Sequence, residues 1–396
     1  MLQCKIDAAS QNGQGMSDRS DIQQNLASWG HAAAAALQAA FARVAGPASP
    51  RRIAIALQGG GAHGAFTWGV LDRLLESGMR MDAVSGSSAG AFNAVFMAHG
   101  LLEGGPDGAR EALAMLWRRI GAKAAFSPLR PNFMDQMGGG WNMENSARFV
   151  GFDLFTRVLS PYQFNPLDMN PLRDLLAECI DFDRLRRNRR IRLFLGATDV
   201  ETGHARVFRT HEITADAVLA SATLPWLHHA VGIGDRHYWD GGFTANPPIM
   251  PLLEETHARD VLLVRLDAGE ADSVPLTARA IHARLNQIMF TAPLNRDLDQ
   301  LADLRRLAQD GLLRGALARR LVALRLHVVE GGDILRPYGQ FSKLNPERGF
   351  LRDLCERGRE RGDQWLSQLE DAELVIAGDE PLAEAGDEPA AEAPCP

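Results

Sequence analysis

Between residues 53 and 99 the chain twice runs from a short apolar stretch, through a glycine-rich turn, into a helical pattern. Ile53–Leu57 is apolar throughout and is closed by Gly59-Gly60-Gly61, which suits a buried strand better than a helix. Phe66, Val70, Leu74 and Leu75 then share one helical face, and Gly78 stops that helix. Met81–Val84 repeats the strand signal, ends at Ser85-Gly86 and leads into a helical Ala91–His99. Parallel strands need a crossover between them, and a helix packed on the sheet supplies it. Ile191–Ala197, Val261–Leu266 and Leu321–Val328 continue the series as further buried strands. The pattern predicts an α/β chain with a mostly parallel central sheet covered on both faces.

The body of this fold is expected over 51–376, with 270–376 as a C-terminal helical part. Residues 1–50 form a weakly patterned extension, disordered at first, with an Ala-rich helix over 26–45. Residues 377–396 are rich in Pro and acids and contain no aromatic side chain, so they read as a disordered tail. From Glu370 onward there are nine acids and no Lys or Arg, which leaves the rest of the chain at +2 against an overall net charge of −7. The acidity belongs to the tail. No apolar run approaches the length of a spanning helix, and no basic start with an apolar core marks a signal peptide, so a cytoplasmic location is expected. Cys4, Cys179, Cys355 and Cys395 stand far apart, which argues against a zinc site and against a disulfide framework.

Two segments invite two readings each. Residues 120–170 scatter Phe126, Phe133, Trp141, Phe149, Phe155 and Tyr162 among glycines and prolines. They read either as irregular core packing or as an apolar cap over a substrate channel. Arg184, Arg186, Arg187, Arg189, Arg190 and Arg192 form either a solvated surface turn or a peripheral contact with an anionic membrane surface. Leu298–Leu326 has helical spacing and is expected to pack on the body. His228-His229 lacks metal-ligand spacing, and no motif points to nucleic acid.

Three short motifs carry chemistry. Gly59–Gly64, between a strand and a helix, can turn backbone N–H groups outward to hold a phosphate or an oxyanion. It also satisfies G-x-G-x-x-G, and Asp82 stands where a ribose-binding acid would, so a nucleotide-dependent oxidoreductase is one reading. Gly86-Ser87-Ser88-Ala89-Gly90 fits G-x-S-x-G at a strand-to-helix turn, where small neighbours let the Ser88 hydroxyl project as a nucleophile. Ser87 is out of phase and is expected to be a neighbour only. A serine needs a base. His327 would fit the chain order of an α/β-hydrolase triad, but it lies in an apolar run and reads as a structural histidine. Asp240, in Tyr238-Trp239-Asp240-Gly241-Gly242, can be held rigidly by a turn and take the proton directly.

In this order the motifs resemble those of the patatin-like phospholipase family, over about residues 53–265. The resemblance rests on IAIALQGGGAHGAF, VSGSSAGAFNAV and LASATLPWLHHAV…HYWDGGFTANPP. It implies a three-layer α/β/α fold and a Ser–Asp dyad without histidine. On that resemblance Ser88 is the nucleophile, Asp240 the base, and the N–H groups of Gly60, Gly61 and Ala62 the oxyanion hole. It further implies lipid esters as substrates, with hydrolysis of a thioester or intracellular polyester on the same dyad as the alternative, and no metal or organic cofactor. Where that family's loop often carries Arg or Lys this chain has His63, which would make the loop's charge depend on pH.

Overall fold

The computed structural model describes residues 53–123, 141, 151, 154–156 and 158–378. The expected N-terminal extension, most of the expected cap and the tail beyond residue 378 lie outside the described residues. The strands are β1 (Ile53–Leu57), β2 (Met81–Gly86), β3 (Arg192–Asp199), β4 (Ala205–Arg209), β5 (Val231–Ile233), β6 (Arg236–Asp240), β7 (Asp260–Arg265) and β8 (Arg325–Glu330). They form one sheet in the order β5-β6-β3-β2-β1-β7-β8, with β4 paired to β3. β3, β2, β1, β7 and β8 are parallel, while β4, β5 and β6 join by antiparallel pairing.

β1 sits near the middle and is completely buried. Its period-two alternation divides the core. Ile53, Ile55 and Leu57 face one side, where they meet α1 (Gly64–Glu76), α2 (Ala89–Lys123), α3 (Ala215–Ser221) and the aromatic start of a long C-terminal helix. Ala54 and Ala56 face the other, where α4 (Ala278–Gln309) and α5 (Ala316–Ala323) contribute Leu294, Leu301 and Leu321. Full burial of each large aliphatic side chain stabilises the fold by roughly 1.5–3 kcal/mol, so this double-faced strand anchors all three layers. The C-terminal helix, α6 (Arg348–Gly378), crosses α1 closely: a Cβ on Gly69 or on Gly358 would overlap the opposing backbone.

Several boundaries differ from the sequence reading. Leu321 lies in the last turn of α5 rather than opening a strand, and β8 begins at Arg325, after Leu324 caps that helix. The helix expected over Ala91–His99 runs from Ala89 to Lys123, broken where Gly104 and Gly105 leave helical angles. β6 is largely polar and had no apolar signature, yet it adds Asp240 to the sheet as its last residue. No helix among the described residues is long and apolar enough to cross a membrane. Helix α6 runs to Gly378, two residues past the expected end of the body at 376. Deleting 379–396 is expected to shift the melting temperature by less than about 2 °C, because a segment with Leu382 as its one large aliphatic side chain and no aromatic has little to bury. Thermal unfolding of the truncated chain checks this.

Candidate active site

Ser88 lies just beyond β2, at the carboxyl end of the parallel strands. It is one of two described non-glycine residues with positive φ, at 54°, the strained geometry that lifts a nucleophile off a strand-to-helix turn. The flanking glycines make the turn sterically feasible. A Cβ on Gly86 would lie 2.6 Å from the Gly90 backbone, and one on Gly90 would overlap the Leu57 carbonyl. The Ser88 N–H is occupied by the carbonyl and hydroxyl of Ser221, at 3.0 and 3.1 Å. Ser87 instead turns into the core and donates to the Ala245 carbonyl at 2.5 Å.

Sheet register brings the acid to the serine. On β3, Leu195 pairs with Gly86 of β2, and Ala197, two residues on, pairs with Asp240 of β6. Ser88, two residues past Gly86, therefore stands level with Asp240. The Asp240 backbone is clamped: its N–H donates to Thr223 at 2.8 Å, and its carbonyl accepts the Thr198 hydroxyl at 2.8 Å. Its side chain is completely buried. Oδ1 accepts the Gly242 N–H at 2.7 Å, and Oδ2 is buried without a completed hydrogen bond. Burial pushes the Asp240 pKa up to about 7, against the smaller lowering effects of the Gly242 N–H and the Ser88 hydroxyl. A carboxylate that titrates near neutrality beside a serine is suited to proton transfer.

The glycine loop passes directly over this pair. A Cβ on Gly59 would lie 2.8 Å from the Ser88 Cβ, so the approach requires glycine there. The Gly59 N–H donates to Asn246 Oδ1 at 2.7 Å, and Gln58 Oε1 accepts the Leu266 and Asp267 N–H groups, which ties the loop to the end of β7. Gly60, Gly61 and Ala62 donate to no partner among the described hydrogen bonds. Ser88, Asp240 and this loop line a cavity of about 320 Å³, whose apolar lining includes Leu224, Trp226, Phe290, Phe341 and Leu344.

Two lining segments carried no sequence motif: the start of α4, through His282, Ala283, Asn286 and Phe290, and a strap at Gln340–Leu344. The strap is locked onto the glycine loop. His63 Nε2 lies 2.7 Å from the Ser342 hydroxyl, which itself donates to the Gly339 carbonyl. Lys343 Nζ donates to Asp267 at 3.0 Å and to Gln340 at 2.7 Å. Burial alone would raise Asp267, but Lys343 and hydrogen bonds from Gln287 and Gln340 hold it well below the usual carboxylate range.

This environment corrects the reading of His63. Burial, with the Lys343 ammonium nearby, lowers its pKa to about 3, so the ring stays neutral at ordinary pH and the loop's charge is not pH-dependent there. The cation beside the loop is Lys343.

Other expected groups stand apart. His327 is half-buried on β8 and bonds Asp260 at 2.9 Å, at the amino end of β7 and so away from Ser88. Asp82 is the second residue of β2, whereas dinucleotides bind outside the carboxyl ends of strands; it is misplaced for a ribose. The arginine cluster also lies at the amino ends, since Arg192 pairs with Ala83. Measured along β3 it is roughly 17 Å from the level of Ser88, at ~3.3 Å per residue. Arg184 is paired with Glu103 and Arg186 with Asp183, while Arg187, Arg189, Arg190 and Arg192 are exposed. Among the described residues no group of His, Cys, Asp and Glu is arranged to hold a metal ion.

The family profile described as Patatin-like phospholipase matches residues 55–253, half of the chain, and spans both Ser88 and Asp240. The chain belongs to the patatin-like phospholipase family. Two curated relatives, both lysophospholipase NTE1 from strains of Cryptococcus neoformans var. neoformans serotype D, are 28% identical over 232 residues. That stretch is 59% of this chain but only 12% of each relative, so the chain spans a small part of their length. Among solved structures, VipD from Legionella pneumophila aligns with a TM-score of 0.38 and 14% identity, covering 81% of this chain and 67% of that one. ExoU, in its complex with SpcU from Pseudomonas aeruginosa, aligns with a TM-score of 0.34 and 16% identity, covering 81% and 52%. α4, β8, the strap and α6 lie outside the profile match, and two of them, α4 and the strap, help line the cavity.

Proposed function

We propose that this patatin-like protein is a serine acyl hydrolase of lipid esters, of the phospholipase A or lipid esterase type. The observation that carries the reading is the fully buried Asp240 carboxylate, with its incompletely bonded Oδ2, beside a strained Ser88 on the wall of an apolar-lined cavity. Ser88 Oγ attacks the ester carbonyl as Asp240 takes its proton. The carbonyl π electrons move to oxygen, and the resulting oxyanion accepts from the N–H groups of Gly60, Gly61 and Ala62. Collapse of the tetrahedral intermediate expels the alcohol, protonated by Asp240, and leaves an acyl-serine. Water, losing its proton to Asp240, then releases the fatty acid. The Ser88 N–H is already bonded to Ser221, which supports assigning the oxyanion to the glycine loop. Apolar Leu224, Trp226, Phe290 and Leu344 suit an acyl chain better than a nicotinamide or a sugar.

The test is covalent. An alkyl fluorophosphonate is expected to modify the chain at Ser88 alone, located by peptide mapping, and Asp240→Asn is expected to slow that labelling strongly. Labelling at another serine, or none, would overturn the reading.

A further inference from the structure

Lipid esters are presented in aggregates, and the first three turns of α4 are inverted for a helix facing water. Ile281, Leu285, Ile288 and Met289 are 42–50% exposed, whereas Gln287 and Thr291 on the opposite face are buried. The spacing i, i+4, i+7, i+8 gathers the four apolar side chains into one outward stripe. The intervening His282, Ala283, Asn286 and Phe290 line the catalytic cavity, so the stripe borders its mouth. Thr156 lines the cavity as well, flanked by Leu154, Phe155 and Val158, which are 63%, 41% and 72% exposed. Val274 and Leu276, 79% and 88% exposed, extend the apolar margin ahead of α4.

Resting on the lipid-ester reading of the site, we propose that this rim is the face by which the protein docks on a lipid surface, the cavity opening toward the bilayer. An apolar face of this kind sinks into the boundary between headgroups and acyl chains. A second copy of the chain seated there would close the cavity's mouth, whereas a lipid surface leaves Ser88 facing its substrate. Behind the stripe the start of α4 is anchored to the body: Arg279 lies over the Phe341 ring at 5.1 Å, and Arg284 donates to the Gly269 carbonyl and to Gln287. The exposed arginines near β3 are at the other end of the sheet and take no part.

The experiment measures co-sedimentation with sucrose-loaded phosphatidylcholine vesicles in a Ser88→Ala background, so that binding is read without turnover. Leu285→Glu/Ile288→Glu is expected to lower the partition coefficient at least about tenfold. With Ser88 present, the same double variant is expected to lose vesicle phospholipid turnover in proportion while keeping a short soluble ester within about twofold. Replacing Arg186, Arg187, Arg189 and Arg190 with Gln is expected to leave partition unchanged. The proposal is overturned by unchanged partition of the double variant, by a parallel loss on the soluble ester, or by an equal partition loss from the arginine variant. A parent dimer that the double variant splits, seen by light scattering, also overturns it and assigns the rim to a second copy. Vesicle binding that depends on the rim, without hydrolysis of any ester, leaves the docking face standing and removes the hydrolase reading instead.

Discussion

Asp240→Asn is expected to lower turnover of a short chromogenic ester by at least about 10³-fold, to the level of Ser88→Ala. Asn preserves the volume and can still accept the Gly242 N–H at Oδ1, so the clamp on the β6 end survives. What it lacks is a site for the serine proton. In a triad the acid only orients a histidine, and its loss spares more of the rate. His282 is the one histidine among the cavity's lining residues, and His327 bonds Asp260 instead. His282→Gln and His327→Gln are therefore expected to retain turnover within about tenfold, and either one matching Ser88→Ala would end the dyad. Because burial raises Asp240 to about 7, kcat/KM is expected to climb with pH through that value and level off above it. The stability effect has the opposite sign. Between the ordinary carboxylate pKa and about 7 the folded chain keeps a proton that the unfolded chain releases, so stability falls as pH rises across this window. Asn carries no charge to bury. The variant should therefore melt at or above the parent temperature at pH 8, and that advantage should vanish near pH 4.

Local sequence was enough to place Ser88 and the glycine loop at strand-to-helix turns because the residues that permit each turn are adjacent in the chain. Asp240 was found from a turn motif, but its environment was not legible. The pairing of Leu195 with Gly86 and Ala197 with Asp240 depends on strand order, which no local pattern encodes. The same limit explains His63. As a residue type it titrates near neutrality; packed beneath Ser342 and Lys343 it does not. The start of α4 and the strap had no motif because they contribute ordinary side chains whose role comes from where the chain returns. Leu298–Leu326 was expected to pack on the body with helical spacing; Leu301 and Leu321 are buried there, although the stretch divides into the end of α4, α5 and the start of β8. The exposed apolar residues at Ile281–Met289, just upstream, carried no signal.

Gly61→Ala is expected to reduce kcat by at least about 10²-fold, the size of effect seen when an oxyanion donor is lost, with a smaller change in KM. Gly61 holds φ at +57°, where a residue with a Cβ is disfavoured by about 1–2 kcal/mol. The added methyl would also overlap the Lys343 carbonyl. That carbonyl cannot simply retreat, since the strap is fastened on both sides: by Ser342 to His63, and by Lys343 to Asp267 and Gln340. The loop must give way, displacing the Gly60, Gly61 and Ala62 N–H groups proposed to hold the oxyanion. Gly78→Ala separates the two costs. Gly78 has φ of +77°, but no neighbouring atom lies within 4 Å of where its methyl would sit, so it meets the conformational cost without the collision. It is expected to lower the melting temperature by less than Gly61→Ala does and to leave turnover within about twofold. Steady-state kinetics and thermal melts on the two variants together decide the matter: full turnover in Gly61→Ala would mean that the glycine loop does not hold the oxyanion.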